Sequence, residues 1–139
     1  MALRLSGKER QVGDVLGTAV RLLQRTIPDA KQPEKTQVVS WSLRVVANVA
    51  SSQFPVRYWE EAWVAILRQL NLLGFAPDVM AVAFEALTEI CKVRGAISPK
   101  IASASQADIW KLPAFTGVPN RIIIAPALSF IAAFLPLCD

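Results

Sequence analysis

The chain has 139 residues, a length that fits a single domain, and 53% of them are hydrophobic, enough to bury a substantial core. The formal net charge of +4 is mild, and scattered basic residues argue against the basic stripe of a nucleic-acid-binding domain. The chain has no histidine, so the commonest general base and metal ligand are absent, as are Ser-His-Asp and Cys-His arrangements. These features predict a protein that is not an enzyme and uses no cofactor or metal.

The two cysteines, Cys91 and Cys138, lie in apolar stretches and are too few for a disulfide framework or a set of metal ligands. We expect free thiols, with Cys91 buried and unreactive, as is usual in a reducing compartment. Residues 1–11 are polar and basic, so we expect no signal peptide. The expected location is the cytoplasm, or a particle that is assembled there.

The first predicted helix begins at Ser6 and is ended by Pro28. One helical face carries the apolar residues Val12, Val15, Leu16, Ala19, Val20 and Leu23. Arg21 and Arg25 fall largely on the other face, together with further charges. We interpret them as part of an ordinary solvated face, with docking of an acidic partner or of RNA as the alternative.

Prolines recur every 22 residues, at Pro33, Pro55, Pro77 and Pro99. Proline is favoured in the first turn of a helix, where its missing N–H has no helical partner to lose. Apolar residues at helical spacing follow the first three prolines, which predicts three helices. A fourth, weaker segment begins at Pro99 and is stopped by Pro113.

Two such helices form a unit of about 44 residues, within the range of two-helix solenoid repeats. The stretch of residues 39–50, VSWSLRVVANVA, resembles a helix of the armadillo or HEAT repeat families. The resemblance covers a dozen residues and implies stacked helical pairs. The sequence as a whole predicts an all-α fold, a compact bundle of four to five helices, with HEAT- or armadillo-like pairing as a finer possibility.

The composition changes after Gly95, because charges become sparse and prolines more frequent. We predict a helical core domain over residues 1–95 and an irregular, apolar C-terminal arm over residues 96–139. Between Arg121 and Asp139 lie 17 uncharged residues, which reach only about 25 Å as a helix and fall short of the roughly 20 residues that span a bilayer. We therefore expect the arm to pack on its own core or on a neighbouring subunit.

Pro126 and Pro136 lie near the two ends of this uncharged stretch. They predict that regular helix is limited to about residues 127–135.

Large apolar and aromatic side chains are the candidate contacts to a partner. Trp59 and Trp63 lie one helical turn apart on the same face as Ile66 and Leu70, which favours core packing. The alternative is an exposed pair that binds a protein partner. The complete set of predicted partner-binding residues is Trp59, Trp63, Trp110, Ile123, Phe130, Phe134, Arg21 and Arg25.

We expect a structural or assembly subunit of a multi-subunit complex, of the kind found in viral or phage particles. It would contact further copies of itself or other protein subunits through the C-terminal arm. One alternative is a small monomeric adaptor or inhibitor that binds one partner. Another is an RNA-binding protein that uses the basic N-terminal helix, and attachment to a membrane is disfavoured.

Overall fold

The computed structural model describes residues 7–52, 58–117 and 120–138. These ranges contain seven α-helices and no β-strand, which confirms the predicted all-α class. The helices are α1 (Gly7–Arg25), α2 (Pro33–Ser52), α3 (Trp59–Leu72), α4 (Pro77–Lys92), α5 (Pro99–Trp110), α6 (Pro113–Thr116) and α7 (Arg121–Phe134). A short 3-10 helix, Leu135–Leu137, follows α7 directly.

Three of the regularly spaced prolines begin helices as predicted: Pro33 begins α2, Pro77 begins α4 and Pro99 begins α5. The fourth proline, Pro55, and the predicted helix start at Ser6 lie outside the described residues. The start of α5 is also fixed by a side-chain cap, because Ser98 Oγ accepts a hydrogen bond from Ile101 N at 3.2 Å.

Helices α1 and α3 pack together and run in the same direction. A methyl group at Gly17, in the middle of α1, would lie 3.9 Å from the ring of Tyr58, which precedes α3. Further along, Gln69 Nε2 of α3 donates to the carbonyls of Leu23 and Thr26, each at 2.8 Å. These carbonyls end α1 without helical partners, so a side chain from α3 satisfies them.

Helix α4 occupies the centre of the molecule and packs against α2, α3 and α7. Its buried residues lie on several sides of the helix, and Phe84 is completely enclosed. Shared clefts place the start of α4 beside the starts of both α2 and α7. Two further clefts place later residues of α4 beside later residues of α2 and beside residues 125–129 of α7, so the three helices run in the same direction.

The predicted bundle of four to five helices has to be revised, since the described residues form seven. The segment predicted to be an irregular arm is mostly helical, as α5, α6 and α7. Its residues share one hydrophobic core with the preceding helices, and this core extends from Leu16 to Phe134. The tail therefore packs on its own chain.

The stretch that resembles a solenoid repeat lies within α2, and the pairing that the resemblance implies stays a prediction.

Helix α7 begins earlier than its prolines suggested. Asn120 Oδ1 accepts a hydrogen bond from Ile122 N at 2.9 Å and caps the helix, which therefore begins at Arg121, six residues before the predicted start near residue 127. Pro126 then lies inside the helix, where it leaves the carbonyl of Ile122 without an N–H four residues on. Because Ile122 is exposed in the first turn, water can reach this carbonyl.

Candidate interaction surface on helix α7

The inner face of α7 supplies a large part of the core. It consists of Ile123, Ala127, Phe130 and Phe134, all of which are buried. The ring of Phe130 lies 5.9 Å from Trp63 and 5.8 Å from Phe84, and Phe134 stacks on Trp63 at 5.8 Å. Such aromatic pairs add about 0.5–1.5 kcal/mol each beyond their buried area. This face holds α7 on α3 and α4.

The outer face of α7 is also apolar, yet it lies in solvent. We name Ala125, Leu128 and Ala132 of α7, together with Leu135 at the start of the 3-10 helix that continues it, the outer seam. All four are exposed, with Leu128 63% and Leu135 49% accessible. Their spacing of three, four and three residues follows the a and d positions of a heptad. A surface helix normally turns charged or polar residues to water, so this second apolar stripe indicates a contact surface.

An apolar groove of about 280 Å³ runs along one flank of α7. The start of α4, helix α6 and the first half of α7 form its walls, with Met80, Phe115 and Ile124 among the lining residues. Leu128 belongs both to this groove and to the outer seam. The groove widens the apolar surface beyond the single row of the seam.

Trp110 adds an exposed aromatic edge beside the groove. It is 46% accessible, and its ring meets the ring of Phe115 edge-on at 5.8 Å. Tryptophan is enriched among the residues that dominate protein–protein binding energy. Trp110 is thus the one predicted aromatic contact residue that the structure leaves open to a partner.

The other flank of α7 is polar. A depression of about 340 Å³ lies between α4 and α7, where Glu85, Glu89 and Lys92 face Ala125 and Ser129. Lys92 Nζ and Glu89 Oε1 form an ion pair at 3.4 Å. Pairs of this exposed kind contribute little to stability, about 0–1 kcal/mol. The outer seam therefore stands between an apolar flank and a charged one.

Most of the predicted partner-binding residues lie in the core. Trp59, Trp63, Ile123, Phe130 and Phe134 are all buried. In this conformation they are not accessible to a partner. The indole N–H of Trp63 donates to Ser105 Oγ at 3.0 Å, which satisfies the polar end of a fully enclosed side chain.

Arg21 and Arg25 are exposed on α1, as expected for a solvated face. Arg21 Nη2 donates to Thr18 Oγ1 at 3.3 Å on its own helix. Asp14 lies one turn before Thr18 and is also exposed, so the basic residues do not form an uninterrupted row. This arrangement is a weak electrostatic platform for RNA, which requires a continuous basic surface.

The outer seam itself was missed by the sequence reasoning. The signal was present, because the residues of the inner face and of the outer seam each recur at heptad spacing within the same stretch of chain. A single-face helix shows one such stripe, whereas α7 carries two on opposite sides. The apolar character of the tail was recognised, but its division into two faces was not.

The described residues contain few groups that could bind a metal ion or act as a nucleophile. They contain no group of three or more cysteine or acidic side chains that could hold a metal ion. Cys91 packs against the core, and burial raises the pKa of its thiol from 9.0 to about 12, with a smaller contribution from Cys138. A thiol with so high a pKa is a poor nucleophile at neutral pH.

A cleft of about 470 Å³ lies between the α1–α2 connection and the start of α4, and Asp29 and Asp78 both line it. Asp29 Oδ1 already accepts a hydrogen bond from Lys31 N at 2.8 Å. Two carboxylates, one of them engaged in a turn, do not define a binding site.

Among the described helices, none combines the length and apolar character required to cross a bilayer. No protein-family model, curated protein or solved structure matches the chain.

Proposed function

We propose that the protein is a non-enzymatic assembly subunit that acts through protein–protein contacts made by the outer face of α7. One observation carries the proposal: a helix anchored in the core by one apolar face presents a second apolar face to solvent. Burying half-exposed leucine and isoleucine side chains against another protein removes apolar area from water, at about 25 cal/mol per Å². The neighbour contacts the outer seam and the adjoining groove while the inner face stays in its own core.

Substitution Leu128→Glu tests the proposal. A carboxylate in the middle of an apolar contact must be desolvated without a partner, so association is expected to be lost. Since Leu128 is 63% accessible, the fold itself should change in stability by no more than about 0.5 kcal/mol. Val64 on α3 is 64% accessible, and Val64→Glu is the matched control on a different surface.

The measurement is molar mass by light scattering over a concentration series from about 5 μM to about 500 μM, a range that captures weak complexes. We expect the wild type and Val64→Glu to gain mass with concentration and Leu128→Glu to remain at 15.2 kDa. A wild-type protein that stays monomeric throughout would contradict self-assembly and favour the alternative, a monomeric adaptor. An unchanged mass profile for Leu128→Glu would exclude this surface as the contact.

A further inference from the structure

We propose that the partner of the outer seam is the outer seam of a second copy, and that the two α7 helices pack antiparallel about a twofold axis near residue 130. This inference rests on the proposed function and specifies its partner and geometry. A twofold interface uses the same patch on both subunits, so the patch has to be complementary to itself.

The seam meets that requirement because its large and small residues alternate. In an antiparallel pair of helices, an a position faces a d position of the other helix. Ala125 then faces Leu135 of the second copy, and Leu128 faces Ala132 of the second copy, with both pairs repeated by symmetry. Every layer combines one large and one small side chain, which lets the helices approach closely and fill the space between them.

A parallel pair fits less well. It would place Leu128 against Leu128 of the second copy and Ala125 against Ala125 of the second copy, so wide and narrow layers would alternate. It would also bring the two copies of Arg121 together at one end. In the antiparallel pair they lie about 27 Å apart along the axis, well beyond a Debye length of roughly 10 Å.

The absence of charge along the seam also favours a second copy as the occupant. Between Arg121 and Asp139 the sequence contains no charged residue, so pairing two such helices buries no charge of α7 itself. The positions that flank a heptad seam and choose partners by charge are apolar or neutral here, at Ile122, Ile124, Ser129 and Ile131. A partner that presents charges to the row of seam residues itself would have to desolvate them without compensation, because the nearest charges, Glu85, Glu89 and Lys92, lie on the flank of α7.

The size of the surface predicts a weak dimer. Helix α7 is about 21 Å long and about 10 Å wide, so its outer face covers roughly 200 Å². Stable complexes usually bury about 800 Å² on each partner. Even with the groove and Trp110 added, we expect a reversible, concentration-dependent pair.

Cysteine cross-linking tests the geometry. Both native cysteines are first replaced by alanine, and Ala125→Cys and Leu135→Cys are then made separately in that background. In the antiparallel pair, these positions face each other across the axis. Each of these positions lies about 15 Å along the axis from the same position in the second copy. That is too far for a disulfide, which needs Cα atoms within about 7 Å.

The two variants are oxidised with oxidised glutathione, alone and as an equimolar mixture, and intact masses are measured without reductant. We expect the mixture to yield the mixed disulfide dimer as the main cross-linked product, and each variant alone to yield at least about tenfold less. Circular dichroism checks that both variants keep the helix content of the parent.

The outcomes separate this inference from the proposed function. Cross-linking of Ala125→Cys with itself would indicate a parallel pair and overturn the antiparallel arrangement. If Leu128→Glu abolishes association but the mixed disulfide dimer does not form, the contact surface is retained and its antiparallel geometry is overturned. A limiting mass above twice 15.2 kDa would overturn a closed pair. Mass profiles unaffected by Leu128→Glu would remove the proposed function itself.

Discussion

Gln69 shows how one residue can determine the junction of two helices. It is fully buried, its Nε2 donates to two carbonyls at the end of α1, and its Oε1 has no hydrogen-bond partner. We predict that Gln69→Leu lowers the free energy of unfolding by about 1–3 kcal/mol, because the Thr26 carbonyl loses its side-chain donor and the Leu23 carbonyl keeps only the longer bond from Arg68 Nη1, at 3.3 Å. Urea denaturation measures the loss. The control is Asn71→Ala, an exposed amide two residues on, which should change stability by no more than about 0.5 kcal/mol. Equal effects of the two substitutions would argue against this junction.

Cys91 is the residue with the clearest pH dependence. Because burial, and to a lesser extent Cys138, raises the pKa of this thiol from 9.0 to about 12, the folded protein keeps its proton where the unfolded chain loses it. The stability that this thiol contributes is complete below pH 9 and is lost as the pH rises toward 12.

In a Cys138→Ala variant, we expect iodoacetamide to alkylate Cys91 at about pH 9 roughly a hundredfold more slowly in the folded protein than in concentrated urea. The rate of mass gain measures this. Similar rates in the two conditions would show that the thiol is accessible and ionised.

At the scale of the helix, proline has opposite effects at different positions. Pro77 begins α4, where its missing N–H has no helical partner, whereas Pro126 interrupts the hydrogen bonds of α7.

We predict that Pro126→Ala raises the free energy of unfolding by about 1–2 kcal/mol, since it restores the backbone hydrogen bond to the Ile122 carbonyl. The matched Pro77→Ala should lower it by about 0.5 kcal/mol. Thermal unfolding followed by circular dichroism would measure both, and a loss of stability on Pro126→Ala would refute this reading of α7.

Helix starts could be predicted from the sequence where proline spacing and apolar periodicity agreed, as at Pro33, Pro77 and Pro99. The start of α7 was missed because the two prolines of the tail received more weight than Asn120, a strong N-cap residue. One proline inside a helix leaves a single carbonyl unpaired, and tertiary contacts of Phe130 and Phe134 can offset that. Helix propensity depends on residue type alone and does not take these tertiary contacts into account.

At the scale of the whole molecule, the sequence could not determine which apolar residues pack inside. Trp41 and Trp63 occupy equivalent positions after their prolines, yet Trp41 is 49% accessible and Trp63 is fully enclosed. The difference arises from the neighbours, because Phe130 and Phe134 of α7 cover Trp63. Such contacts join residues nearly 70 positions apart in the sequence, and periodicity within one helix does not reveal them. The prediction of a partner surface on the tail therefore named the residues of its inner face, whereas the exposed surface is on the outer one.

The central claim is that α7 serves two surfaces at once, the core on one side and a neighbouring subunit on the other. Its most direct test is the molar mass of Leu128→Glu beside the wild type, measured by sedimentation equilibrium at the highest concentration both tolerate, with helix content recorded on the same samples. We predict that the variant keeps its helix content and sediments as a monomer while the wild type associates. Equal masses for the two proteins, or a variant that loses its helices, would contradict the claim.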